Sequence, residues 1–150
     1  MKFILWADVS DVMSKDLITI TPDTAVTKIR EMFQKHDFNA FPVVDGNKTL
    51  VGIVSKTDYL RMFTMGYSFS VQKVQMLWAK TAADIMSKGI FTIKPNSKLV
   101  DAANIMVENN FRSVPVVQGK KLVGIITSTD IIKHTLIEIG NVSKTKAIVK

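Results

Sequence analysis

A repeat constrains this chain more than any other feature. Gly52-Ile53-Val54-Ser55-Lys56-Thr57-Asp58 comes back as Gly124-Ile125-Ile126-Thr127-Ser128-Thr129-Asp130. Other stretches recur around it in the same order. Asp11-Val12-Met13-Ser14-Lys15 returns as Asp84-Ile85-Met86-Ser87-Lys88. Leu17-Ile18-Thr19-Ile20-Thr21-Pro22 returns as Ile90-Phe91-Thr92-Ile93-Lys94-Pro95, and Phe41-Pro42-Val43-Val44 as Val114-Pro115-Val116-Val117. The offset is 73 residues at the Pro-Val-Val pair and 72 at the glycine, so the turn from Asp45 to Thr49 holds one extra residue. Leu5-Trp6-Ala7 also matches Leu77-Trp78-Ala79, which puts both tryptophans at one repeat position and suggests a shared leader element. At 150 residues the chain is long enough for one good core, or for two small units sharing one.

Each copy reads the same way. Ser10 or Ala83 leads a short helical turn. Ile18-Thr19-Ile20 and Phe91-Thr92-Ile93 alternate as short strands. Thr21-Pro22-Asp23 predicts an N-cap with proline in the first helical turn. The helix that follows shows Val26, Ile29 and Phe33 on one face, and its counterpart shows Leu99, Ala102, Ala103 and Met106. Asn109-Asn110 is the expected stop, since Asn tolerates the left-handed conformation. Two apolar runs then form a hairpin in each copy, Phe41–Val44 with Leu50–Val54 and Val114–Val117 with Leu122–Ile126. Gly46 and Gly119 are placed to supply positive φ in the turns. A second helix follows each Thr-Asp, from Tyr59 to about Met65 and from Ile131 to about Ile139, with Gly140 as the stop. The order is strand, helix, strand, strand, helix, twice. That is a mixed α/β chain of α+β type. The expected boundaries are a first repeat with its leader at 1–66, a connector at 67–80, and a second repeat with a basic tail at 81–150.

Composition removes several function classes. No cysteine is present, so disulfides, thiolate metal sites and cysteine nucleophiles are excluded, and a reducing compartment such as the cytoplasm fits. His36 and His134 are the only histidines, too few for a histidine-rich metal centre. Neither the short apolar start ended by Asp8 nor any later run is long enough for a signal peptide or a membrane span. A net charge of +7 fits a solvated basic surface or attraction of anionic ligands. No dense Lys/Arg block with interleaved aromatics marks a nucleic-acid footprint. The connector from Gly66 to Lys80 carries Tyr67, Phe69, Met76 and Leu77, which read as extra core or as a surface for a partner.

The duplicated ending carries the chemistry. An apolar run gives way to hydroxyl residues and a carboxylate where a helix begins. The first helical turn has free N–H groups and the positive end of the dipole, which suit phosphate. Ser and Thr hydroxyls donate to phosphate oxygens, and an Asp offers two acceptors for a ribose diol. The same residues also make an ordinary N-cap.

Taken in order and twice, the Asp-x-Met opening, the Thr in the first strand, the Pro-Val-Val strand and the Gly-x-x-Ser/Thr-x-Thr-Asp ending resemble the CBS domain, named after cystathionine β-synthase. Two tandem copies form a Bateman module, and the resemblance covers nearly the whole chain. It implies βαββα units packed about a pseudo-twofold axis, commonly paired into a homodimer. It also implies adenosine ligands (AMP, ADP, ATP or S-adenosylmethionine) in clefts between the repeats. The expected role is to sense such a ligand and act on a separate protein. Carried over residue by residue, one site would join Thr19, Phe38, Asn39 and Pro42 to Thr127, Thr129 and Asp130. The other would join Thr92, Phe111, Arg112 and Pro115 to Ser55, Thr57 and Asp58. Phe38 and Phe111 read equally as core rings or as adenine platforms. Arg112 stands where the other copy has Asn39. A guanidinium offers fixed, charged donors to phosphate, so the Arg112 site is expected to bind a phosphorylated ligand more tightly, unless Arg112 faces solvent or pairs with an acid. Lys56, Arg61 and Lys133 lie near the endings and read as added charge or as surface.

No paired-carboxylate, Gly-x-Ser-x-Gly, Walker or metal-ligand pattern is present, so no catalytic residue and no metal ligand is expected. Gly46-Asn47-Lys48-Thr49 lacks the earlier glycine of a phosphate loop and reads as a turn. The expected function is an adenosine-nucleotide sensor. The alternatives are an S-adenosylmethionine sensor and an interaction module with no nucleotide.

Overall fold

The computed structural model describes residues 4–64 and 79–148. Leu77, Trp78 and nearly all of the expected connector lie outside the described residues.

The elements run as α1 (Val9–Val12), α2 (Val26–Lys35), β1 (Ala40–Val44), β2 (Leu50–Ser55) and α3 (Lys56–Arg61), then α4 (Ala82–Ile85), α5 (Leu99–Asn109), β3 (Ser113–Gln118), β4 (Lys121–Thr127) and α6 (Ser128–Ile148). Sheets are two-stranded, β1 with β2 and β3 with β4. The chain divides into two compact units. One is Ile18–Ile90 with Lys120–Leu122; the other is Met1–Leu17 with Phe91–Gly119 and Val123–Lys150.

In the first of these units, Ile29 of α2 sits in a core with Ile20, Phe41, Val43, Val54, Ala82 and Ile85. In the second, Leu99, Ala102 and Met106 of α5 meet Val9, Ile93, Val114, Val116, Ile126 and Ile131. The predicted helix faces are therefore the buried ones. At about 25 cal/mol per Å², burying one such side chain contributes roughly 1.5–3 kcal/mol.

Packing does not follow the repeat. The leader of each sequence copy packs on the hairpin of the other copy. Ser87 exchanges both backbone hydrogen bonds with Ile53, at 2.9 and 3.0 Å, and Ser14 does the same with Ile125. The methionine ahead of each serine lies over a strand glycine. A Cβ built at Gly52 would fall 2.5 Å from Met86 Sδ, and one at Gly124 would fall closer still to Met13 Sδ. The Asp-x-Met opening and the glycine of the ending are thus two halves of one contact. Asp8 and Lys98 add an ion pair at 2.6 Å to one leader. In the other, Asp84 accepts from the N–H groups of Lys80 and Thr81, at 2.8 and 3.0 Å. The hydrogen bonds from Lys80 and then Thr81 hold the Asp84 carboxyl below its ordinary pKa of 3.8.

Several expectations are corrected. Ile18–Ile20 and Phe91–Ile93 are not strands but single parallel bridges, Ile20 to Val43 and Ile93 to Val116. The prolines explain this. Ile20 N–H donates to the Pro42 carbonyl and Val44 N–H donates to the Ile20 carbonyl. The next rung would need an N–H from Pro42, which has none. Pro115 stops the second ladder in the same way. The helix caps also move. Thr21–Thr24 closes a turn, with Thr24 N–H on the Thr21 carbonyl at 3.0 Å, and α2 starts only at Val26. In the first hairpin Lys48, not Gly46, takes positive φ, at 63°. Asp45 Oδ1 holds that longer turn by accepting from the Asn47 and Thr49 N–H groups, both at 2.9 Å. In the second hairpin Gly119 does take positive φ, and Asn110 caps α5 in the left-handed region, as expected. Finally, α6 runs through Gly140 to Ile148. A mid-helix glycine costs about 1 kcal/mol, which weakens a helix without ending it.

Candidate functional site

Hairpin register decides which candidate residues meet. In β1–β2, Ala40 lies opposite Ser55, so the segment ahead of β1 reaches the end of β2. Lys56 N–H donates to the Asn39 carbonyl at 2.9 Å. The second copy repeats this, with Ser128 N–H on the Arg112 carbonyl at 2.9 Å. Each segment before Pro-Val-Val therefore abuts the hydroxyl-and-Asp ending of its own copy. The partners expected from the opposite copy fall in the other compact unit.

Pro42 and Pro115 are buried strand residues whose carbonyls receive the Ile20 and Ile93 N–H groups. Thr19 and Thr92 precede those bridge residues. Thr19 is half-buried and Thr92 exposed, as alternation on an extended backbone places them once Ile20 and Ile93 turn inward. Phe38 and Phe111 are not core rings. They stay 42% and 43% exposed. Phe38 stacks on His36 at 5.4 Å and 7°, and Phe111 leans on Phe91 at 5.7 Å. The buried aromatic of the first copy is Phe41 instead.

The two endings share a cap and differ beyond it. Thr127 Oγ1 accepts from the Asp130 N–H at 3.1 Å, and Asp130 Oδ2 accepts from the Thr127 N–H at 3.0 Å. This capping box opens α6, with 21 residues behind it. Asp130 is half-buried and Thr129 and Arg112 are exposed. Ser55 and Asp58 make the same box at the start of α3, a helix of 6 residues. There Ser55 Oγ also donates back to Asp58 Oδ2 at 2.9 Å. Asp58 Oδ1 accepts from Arg61 Nη1 at 2.9 Å and from the Ser87 hydroxyl at 3.1 Å. Asp58 is 3% exposed, the one buried charged residue among those described. Arg61, read from sequence as added charge or surface, thus pairs with Asp58. Ser87 was missed as a partner of the ending. The signal for it was its place three residues after Asp84, at the end of a leader whose packing partner the repeat order hides.

Chemically, the second ending brings together a guanidinium-bearing residue, Arg112, hydroxyls, and a partly exposed carboxylate at the start of a long helix. That set suits a phosphorylated diol. Among the described residues no group of three His, Asp or Glu side chains gathers to hold a metal ion. Among the described residues no helix is long and apolar enough to cross a membrane.

Known proteins match this geometry. The family model of the CBS domain fits residues 9–64 and 82–136. An uncharacterised protein of Methanocaldococcus jannaschii is 32% identical over 133 residues, covering 84% of this chain and 31% of its own length. The chloroplastic CBS domain-containing protein CBSX1 of Arabidopsis thaliana is 31% identical over 150 residues, covering 85% of this chain and 64% of its own. The chain thus spans about a third to two thirds of these two relatives. The crystal structure of Arabidopsis thaliana CBSX2 in complex with AMP superposes with a TM-score of 0.77 at 28% identity, over 86% of this chain and 96% of that one. The CBS domain pair of protein MJ0100 in complex with 5'-methylthioadenosine and S-adenosyl-L-methionine gives 0.70 at 29%, over 85% and 94%. Two matched regions, in the order and with the contacts described, establish that this chain belongs to the CBS domain family, as a tandem pair.

Proposed function

We propose that this chain is a regulatory module that binds an adenosine nucleotide (AMP, ADP or ATP) and acts on a separate protein rather than catalysing a reaction. The observation that carries the reading is the second-copy ending, where Arg112 adjoins the Thr127–Asp130 capping box at the head of α6. Similar CBS pairs hold AMP in one case and S-adenosyl-L-methionine in another. Arg112 favours a phosphorylated ligand over the second class, because a guanidinium matches phosphate oxygens. In this reading Thr127, Thr129 and Asp130 take ribose and phosphate, and Phe111, exposed beside Arg112, offers a ring face to adenine. Thr92 lines the approach. Asn39, Phe38, Thr19, Ser55 and Thr57 form the corresponding and weaker set of the other copy.

A thermal-unfolding scan with millimolar AMP, ADP, ATP, S-adenosylmethionine and NAD tests the reading. Ligand at a hundred times its dissociation constant adds about 2.7 kcal/mol, a shift of several degrees. A shift with an adenosine nucleotide supports the proposal. A shift with S-adenosylmethionine alone would replace the ligand class. No shift at all would favour an interaction module.

The second reading, association through an apolar face, has its own observation. Ile132, Leu136 and Ile139 stand exposed on α6 at helical spacing. We propose a second copy of the chain as their occupant, and sedimentation equilibrium would read a dimer.

A further inference from the structure

We infer that Asp58 is a latch for the second leader and is withheld from ligand, so that each chain has one open diol-reading ending rather than two. The inference rests on the nucleotide reading for its ligand arm only.

The two endings are repeats of one another, so their differences are informative. Asp58 and Asp130 hold one repeat position, Ser87 and Ser14 another, and Arg61 and Lys133 a third. Both oxygens of Asp58 are taken: Oδ2 by the Ser55 N–H and hydroxyl, Oδ1 by Arg61 and the Ser87 hydroxyl. Ser87 is not a neighbour in sequence. It reaches Asp58 because its backbone is paired with Ile53 and Met86 packs over Gly52. The carboxylate thus joins α3 to the leader segment as a side-chain bond beside a backbone bridge. A diol seeking Asp58 would have to displace a charge-assisted bond and a hydroxyl from a side chain that is 3% exposed. At the matched ending the Ser14 backbone makes the same bridge to Ile125. Yet among the described residues only the cap bond from Thr127 reaches the Asp130 carboxylate. The hydroxyls differ in the same sense. Ser55 Oγ both donates and accepts within its box, whereas Thr127 Oγ1 accepts from Asp130 and keeps its proton for an outside oxygen.

The experiment compares Asp58→Asn, Ser87→Ala, Asp130→Asn and Ser14→Ala in the full chain, by thermal unfolding without ligand and by calorimetric titration with AMP. Asp58→Asn is expected to lower Tm by about 5 °C and Ser87→Ala by about 2 °C, with Asp130→Asn and Ser14→Ala within about 2 °C and 1 °C of the parent. AMP is expected to bind the parent at one per chain, Asp58→Asn and Ser87→Ala within about twofold of the parent, and Asp130→Asn at least tenfold more weakly. Two equal AMP sites per chain, or an Asp58→Asn protein that melts like the parent and loses a site, would overturn the inference. If Asp58→Asn does not fold, Ser87→Ala against Ser14→Ala decides it, and equal melting of those two overturns it. If AMP binds no form, the nucleotide proposal falls, and the melting comparison still confirms or overturns the latch.

Discussion

The two endings of this chain started from one sequence pattern and hold the same cap, yet they are spent differently. Ser55–Asp58 opens a helix of 6 residues and ties a leader segment to it; Thr127–Asp130 opens a helix of 21 residues and leaves its carboxylate half-buried. The difference teaches that a duplicated motif is not a duplicated site. A carboxylate at a helix start serves structure or ligand according to what its other oxygen meets. Here one serine hydroxyl from a distant leader and one arginine a turn away hold the Asp58 carboxylate to structure.

Matched substitutions in the two copies break or sharpen this comparison. The largest effect belongs to the cores. Phe41→Ala should cost about 3–5 kcal/mol and its counterpart Val114→Ala about 2 kcal/mol, as read from urea unfolding. Equal costs would mean that the two units are packed alike despite the different side chains. Next comes binding. Arg112→Ala should weaken AMP about ten- to a hundredfold, the worth of a charge-assisted hydrogen bond at about 1.5–3 kcal/mol. Asn39→Ala should change the measured affinity less than threefold, and the reverse ranking would move the ligand to the other ending. The glycines follow. Gly52→Ala and Gly124→Ala each press a Cβ into a methionine, with an expected cost of about 1–3 kcal/mol. Met86→Ala should recover part of the Gly52→Ala loss, whereas Met13→Ala should not, and a double-mutant cycle reads that coupling.

The smallest effect is at the leader cap. Asp84 has its folded pKa held below 3.8 by the Lys80 and Thr81 N–H groups. Its contribution is therefore complete above that ordinary value and lost as pH falls through the depressed one. The group is exposed, so solvent screens the effect. Asp84→Asn should lower Tm slightly at pH 7, with the difference shrinking as pH falls below 3.8 and through the depressed value, and a difference that stays constant with pH would remove the charge from the account.

Much of the fold was legible because repetition doubles every local signal. The faces of α2 and α5, the hairpins, the extra residue in the first turn and the Asn110 cap all follow from period, turn chemistry and offset. What was hidden has physical causes. Pro42 and Pro115 cut the first strands to single bridges by lacking an N–H, a consequence of register that composition does not carry. The cap at Thr21 was drawn early because Thr-Pro also opens turns. Gly140 was read as a stop, though a glycine only lowers helix stability. The leader exchange was out of reach, since nothing local says that Met86 packs on Gly52 and Met13 on Gly124. For the same reason the candidate site was legible as residue types. Which of them are taken by neighbours was not, because Ser87 and Asp58 lie 29 residues apart.

The decisive measurement is an AMP titration of the full chain and of Asp130→Ala, with bound ligand first removed and folding confirmed by unfolding curves. Saturable AMP binding by the parent that falls at least tenfold in a folded Asp130→Ala protein is the predicted result. Equal binding by both proteins, or no saturation by the parent up to millimolar AMP, would contradict the assignment of this chain as a nucleotide-responsive CBS pair read at its second ending.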